Sequence, residues 1–137
     1  MLEGKIVNLR IMEKDDIPQF AKWENDPAFV GEFFTPIQMS LADIEKSFNE
    51  RHPGAATFSV EDKEGHPLGI NMHFKTKFGG YASTFEVGYM LKPDARGKGY
   101  CSEAVTIMLD YLFLTKDIQR IQAVISDENI ASKRVLE

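Results

Sequence analysis

The chain has 137 residues, 43% hydrophobic and 27% charged, with a formal net charge of −5. Residues 1–137 read as one globular domain long enough to bury a core, and the acidic balance argues against a general nucleic-acid binder while suiting a cationic amine substrate. The single Cys101 excludes an internal disulfide framework and fits a reducing, cytoplasmic setting; no apolar targeting segment opens the chain and no run approaches a membrane span.

Residues 5–12 alternate around Ile6, Val7, Leu9 and Ile11, which predicts a first strand. Asp15 or Asp16 caps a helix reaching about Glu24, with Pro18 tolerated in its first turn. Asp26 can cap a further turn that has Pro27 as its first residue. Residues 29–37 are an aromatic-rich loop or short helix. Ser40-Leu41-Ala42-Asp43 has the form of a capping box and starts a helix with Leu41, Ile44 and Phe48 on one side, ending before Pro53-Gly54.

Strand signals follow at 57–61 and 68–78, joined by a turn at 62–65. A Gly79-Gly80 hairpin turn then leads into a strand over 81–91. After a Gly-rich loop, Ala104, Val105, Met108, Leu109, Leu112 and Phe113 recur at helical spacing. A short apolar strand at 121–125 precedes a last helix that Asn129 opens. The order β-α-α-β-β-β-α-β-α predicts a mixed α/β fold (α+β, mixed sheet), with antiparallel hairpins before a β-α-β crossover.

The most informative segment is Pro93-Asp94-Ala95-Arg96-Gly97-Lys98-Gly99-Tyr100-Cys101-Ser102-Glu103-Ala104. A basic, Gly-rich loop between a strand and a helix offers bare N–H groups, a positive helix end and two cations to a phosphate group. Two familiar loops do not fit. The nucleoside triphosphatase pattern fails because Lys98 is followed by Gly99 and Lys92 stands five before Gly97. The dinucleotide pattern begins well at Gly97 and Gly99, then meets Ser102 at its third glycine and Gln119 where an acidic ribose partner belongs. What remains is R-x-x-G-x-small, with Arg96, Gly99 and Cys101. This loop resembles the pyrophosphate loop of the GNAT superfamily, the acyl-CoA-dependent N-acyltransferases, with Cys101 where that family usually has Gly or Ala.

Two further segments carry the resemblance. Asn129-Ile130-Ala131-Ser132-Lys133-Arg134-Val135-Leu136-Glu137 resembles the start of the family's fourth helix. In this N-x-x-S-x-R-V-L-E form it is similar to the branch that acetylates ribosomal-protein N-termini (RimJ/RimL-like) and whose relatives act on polyamines, amino acids and antibiotics. Trp23-Glu24-Asn25-Asp26-Pro27 resembles the W-x-N-D-P element near the front of that branch. Dimers are common there, so the resemblance makes a homodimer an open expectation.

The resemblance implies acetyl transfer from acetyl-CoA to a primary amine by direct attack in a ternary complex. Coenzyme A would be held by the amides from Gly97 through Lys98, Gly99, Tyr100 and Cys101 to Ser102, with Arg96 and Lys98 as charge partners. Asn129 would meet the pantetheine, and so would the strand edge at Tyr89, Met90 and Leu91, with an N–H near Met90 reaching the thioester carbonyl. Gly88 suits a bulge or splay that opens this edge. A lysine-type amine has a pKa near 10.4, so only about one molecule in a thousand is reactive at neutral pH. Glu86 resembles the acidic residue that relieves this. The family's tyrosine acid falls on Leu136, which leaves Ser132 to assist the departing thiolate. Trp23, Phe33 and Phe34 are candidates for the acceptor wall.

Residue by residue, plainer roles compete. Asn129 and Asp26 can be helix caps, Trp23 a core aromatic, and Glu86 a solvated strand residue. Tyr100 and Tyr111 read as packing residues. His52, His66 and His73 are dispersed with no zinc spacing, and His73 is expected to face solvent or an amine pocket beside Asn71 and Lys75. Cys101 needs only to be small. The family continues past its fourth helix into two more strands, so the sequence as given reads as lacking them, by truncation or because another chain supplies them. A non-catalytic acyl-CoA-binding module and an unrelated phosphate-binding domain stay open as alternatives.

Overall fold

The computed structural model describes residues 1–78, 81–116, 118 and 120–137. Its elements are β1 Leu2–Glu3, β2 Asn8–Ile11, α1 Ile17–Glu24, α2 Pro27–Val30, α3 Leu41–Asn49, β3 Ala56–Glu61, β4 Pro67–Phe78, β5 Tyr81–Leu91, α4 Tyr100–Thr115, β6 Arg120–Gln122 and α5 Ile130–Leu136. The strands form one sheet in the order β1-β2-β3-β4-β5-β6. All neighbours are antiparallel except β5 and β6, which run parallel across the α4 connection. The expected Gly79-Gly80 turn lies outside the described residues.

Each sheet face is covered by a helical layer. Val7, Leu9, Phe58, Val60, Phe85, Val87 and Leu91 pack with Met108 and Leu112 of α4. On the other face Met12 and Ile70 meet Phe29 of α2, together with Phe20 and Trp23 of α1 and Phe48 of α3. Period-two alternation along β5 therefore feeds two different cores. At α1 the expected aspartate cap is not made, because the Asp16 carboxylate pairs with Arg10 at 2.8 Å. The starts of α2 and α3 follow the sequence: Asp26 accepts from the Ala28 amide at 2.9 Å ahead of Pro27. Ser40 accepts from the Asp43 amide at 3.1 Å, and its hydroxyl donates to the Asp43 carboxylate at 2.6 Å rather than leaving that carboxylate to close a reciprocal box.

Two further expectations change. The strand over 5–12 is broken, because the Glu103 carboxylate of α4 accepts the amides of Lys5, Ile6 and Val7 at 2.7–3.0 Å and draws them off the ladder. A segment 96 to 98 residues away thus decides where pairing begins. His73 is also not at the surface. It is 4% exposed, because α4 covers its side of the sheet, and its ring lies 5.6 Å from Phe85 and 6.2 Å from both Phe58 and Tyr111. Burial, with Lys116 nearby, lowers its pKa and keeps the imidazole neutral.

Candidate functional site

The parallel pairing of β5 with β6 ends at Glu86 opposite Gln122. Residues 123–126 leave the sheet while β5 continues to Leu91, so the two chains part. The expected splay is therefore present, but it lies on the β6 side. Gly88 itself pairs in regular register with Met72 and carries no bulge. Its missing Cβ makes room for Met72, whose Cγ would otherwise stand 3.3 Å away.

At the outer end of this split lies the Gly-rich loop. Gly97 and Gly99 have φ of 73° and 81°, the left-handed region that glycine enters without a Cβ penalty. These two turns bring α4 in with Gly99 as its cap residue. The first bonded amide after the loop is Glu103, which donates to the Gly99 carbonyl at 3.2 Å. The amides of Gly97, Lys98, Gly99, Tyr100, Cys101 and Ser102 have no partner among the described residues. Six consecutive donors at the positive end of a 16-residue helix form a site for an anion larger than one carboxylate.

A cavity of about 590 Å³ runs from this loop along the split. Its floor is Tyr89, Met90 and Leu91; one wall is Cys101 and Ser102 with Asn129, Ser132 and Arg134, and the other is Phe29 to Phe34. Most of the expected site residues meet here although they come from four separated segments. Phe33 and Phe34 line it, with Phe34 56% exposed at the mouth. Asn129 also caps α5, accepting the Ser132 amide at 3.0 Å. Glu86 stands at the last paired position before the split, half-buried, with its carboxylate accepting the Gln122 amide at 3.0 Å, and it is not one of the residues lining the cavity.

Several residues are placed otherwise. Trp23 does not line this cavity; its ring stacks on Phe29 at 4.9 Å and 1°, a core role that fixes α2. Arg96 was expected as a charge partner for phosphate. It lines the cavity, and its guanidinium donates to the carbonyls of Leu91 at 3.0 Å, Ala28 at 3.2 Å and Phe29 at 2.8 Å, tying the loop to α2. Lys98 is exposed, with no partner among the described residues. Tyr100 and Tyr111 pack against the core, the role their sequence context predicts. The Cys101 thiol is pushed up to about 12 by burial, so it stays protonated and is no nucleophile at neutral pH. Arg134 is a lining cation that sequence reasoning missed. Its signal was available, since it lies five residues after Asn129 in the same motif.

Six unpaired amides at a helix mouth, leading into a split between parallel strands of a mixed α/β sheet, make a site suited to a diphosphate-bearing ligand. Residues 7–137 match the acetyltransferase (GNAT) domain family, and the chain belongs to it. It is an acetyl-CoA-dependent acetyltransferase. Similar proteins include the probable N-acetyltransferase YjcK of Bacillus subtilis (strain 168), 27% identical over 149 residues, covering 100% of this chain and 81% of the relative. An uncharacterized N-acetyltransferase, p20, of Bacillus licheniformis is 41% identical over 139 residues, covering 95% of this chain and 75% of the relative. In fold, the chain is similar to the spermidine N-acetyltransferase of Vibrio cholerae crystallised with CoA and spermine. That comparison has a TM-score of 0.81 at 20% identity and covers 95% of this chain and 77% of the other. Acetyl-CoA fits the site: the unpaired amides suit its diphosphate, and the free β5 edge at Tyr89 to Leu91 on the cavity floor suits a pantetheine arm.

Proposed function

We propose that the protein transfers the acetyl group of acetyl-CoA to a primary amine of a small polycationic molecule, a polyamine or aminoglycoside, by direct attack in a ternary complex. The reading rests on the six unpartnered amides from Gly97 to Ser102 at the outer end of the cavity. These amides would hold the diphosphate, with Lys98 and Arg134 adding charge from the rim. The free edge of β5 at Tyr89 to Leu91 would pair with the pantetheine amides. Acetyl-CoA supplies an activated acyl carbon and a good leaving group.

The remaining work falls to side chains. Glu86, directly or through water, takes the proton that the attacking ammonium must lose, which is worth about 10²–10⁴-fold in rate. Ser132 donates a hydrogen bond to the sulfur as the thioester opens. Phe33 and Phe34 form an aromatic mouth that suits aliphatic amines through cation–π attraction, and Glu32 beside them adds negative charge. The N-x-x-S-x-R-V-L-E and W-x-N-D-P elements support a place in the RimJ/RimL-like branch, where peptide N-termini and amino acids are further candidate acceptors. A cytoplasmic setting fits the acyl donor and the free Cys101.

Thermal shift with CoA, acetyl-CoA and ATP, followed by thiol release with spermidine, lysine, an aminoglycoside and a short peptide, tests this reading. Stabilisation by the two CoA compounds, and fastest thiol release with the polycations, is expected. Stabilisation by ATP alone would refute the loop assignment, and CoA binding without thiol release would make the chain a binding module.

A further inference from the structure

The inner wall of the cavity holds a polar atom with no task in the scheme above. The Tyr89 hydroxyl is shut off from solvent and has no hydrogen bond of full geometry, although the Ser132 side chain stands close enough to interact with it, and its residue lines the cavity together with Cys101 of α4 and Ser132 of α5. A buried hydroxyl without a partner is unfavourable, and Phe would fill the same space at no such cost. Burial raises the phenol's pKa, and the neighbouring Ser132 side chain works against that rise. Cys101 is protonated as well, so the local groups carry no charge of their own. Directly across β4 in register, the amide of the fully buried Asn71 is unpaired too. Tyr89, Asn71 and, two residues along β4 on the same face, His73 thus set unpaired polar groups into one buried layer.

We propose that Tyr89 is a positioning residue for acyl transfer, its neutral hydroxyl donating to Ser132 Oγ and so turning the Ser132 O–H toward the departing sulfur. This rests on the role given to Ser132 above. The amine nitrogen bonds to the acyl carbon, the carbon–sulfur bond breaks, and its electron pair stays on sulfur as a thiolate. The proton lost by the amine goes to Glu86 or water. Ser132 keeps its own proton, because a thiol with pKa near 8.5 is a far stronger acid than an alcohol. Two neutral hydroxyls in series polarise one another, which strengthens the final hydrogen bond to sulfur without a buried charge.

Such a donor pair must also lower the pKa of the thiol in bound CoA, and that gives a readout apart from turnover. Calorimetric titration of CoA and desulfo-CoA across pH 6–9.5 should show an inflection for CoA alone, below the free-thiol value of about 8.5. Tyr89→Phe should move that inflection upward by about one unit, a tenfold loss of thiolate affinity. Desulfo-CoA affinity and melting temperature should be unchanged or improved, and kcat should fall while KM for the amine holds. Ser132→Ala should give the same shift, and the double variant no more than either alone. If Ser132→Ala moves the inflection and Tyr89→Phe does not, the positioning role is wrong while Ser132 keeps its own. If neither moves it, both assignments fail. Equal weakening of CoA and desulfo-CoA by Tyr89→Phe would reduce Tyr89 to a packing residue.

Discussion

The two ends of the cavity are built on opposite principles. The outer end is made of backbone: consecutive amides of one loop, two left-handed glycines and a helix start. The inner end is made of side chains from distant elements: Tyr89 on β5, Cys101 on α4 and Ser132 on α5. A backbone site depends on φ and tolerates most side chains that leave φ alone. A side-chain site depends on how the elements dock and tolerates little change of chemistry.

That contrast can be broken first at Gly99. A valine there is forced into the left-handed region, strained by about 1–2 kcal/mol before any loss of amide geometry. Gly99→Val should weaken CoA binding by about a thousandfold, roughly 4 kcal/mol, with only a modest fall in melting temperature. An unchanged CoA affinity would mean that the amides do not hold the diphosphate. Trp23→Ala tests the opposite claim, that a motif residue near the site is structural. Losing its stack on Phe29 should cost about 3 kcal/mol of stability, with KM for CoA retained in the folded fraction. A variant that stays fully stable but loses amine affinity would restore Trp23 to the acceptor wall.

Glu86→Gln sharpens the inner end. Turnover should fall about a hundredfold, most steeply at low pH where the free amine is scarce, while CoA affinity stays within about twofold. Parity with the parent enzyme in a pH–rate profile would demote Glu86 to a partner of Gln122. The smallest effect concerns His73. The folded protein keeps this imidazole neutral, whereas the unfolded chain takes up a proton near pH 6.5. Below that pH the unfolded state binds more protons, so His73 makes stability fall as the pH drops and leaves it flat above. His73→Phe should flatten the acid limb of a denaturation series between about pH 6.5 and 5; an unaltered limb would place the titration elsewhere.

The outer end was legible because its residues are neighbours in the chain. Gly97 and Gly99 can be read as turn residues from type alone, and the helix that follows announces itself by apolar spacing. The strand order was legible too, since alternation over 57–61, 68–78 and 81–91 matches β3, β4 and β5 closely. The misreadings share a cause. Arg96 looked free for phosphate, but α2 brings two carbonyls to it from 67 and 68 residues away. His73 looked exposed because alternation cannot say that α4 covers that face. The strand at 121–125 shrank to Arg120–Gln122 because the chains part after Glu86, and no local pattern marks that point.

The amino-acid sequence alone determined which segments become helix or strand and where a diphosphate can dock, because propensity, capping and glycine's backbone freedom act within a few residues. Only the tertiary structure decided which cation is free, which carboxylate stands at the split and which hydroxyl is left without a partner. Those outcomes depend on what distant elements present to one another, and on the cost of leaving a polar group unpaired once water is excluded.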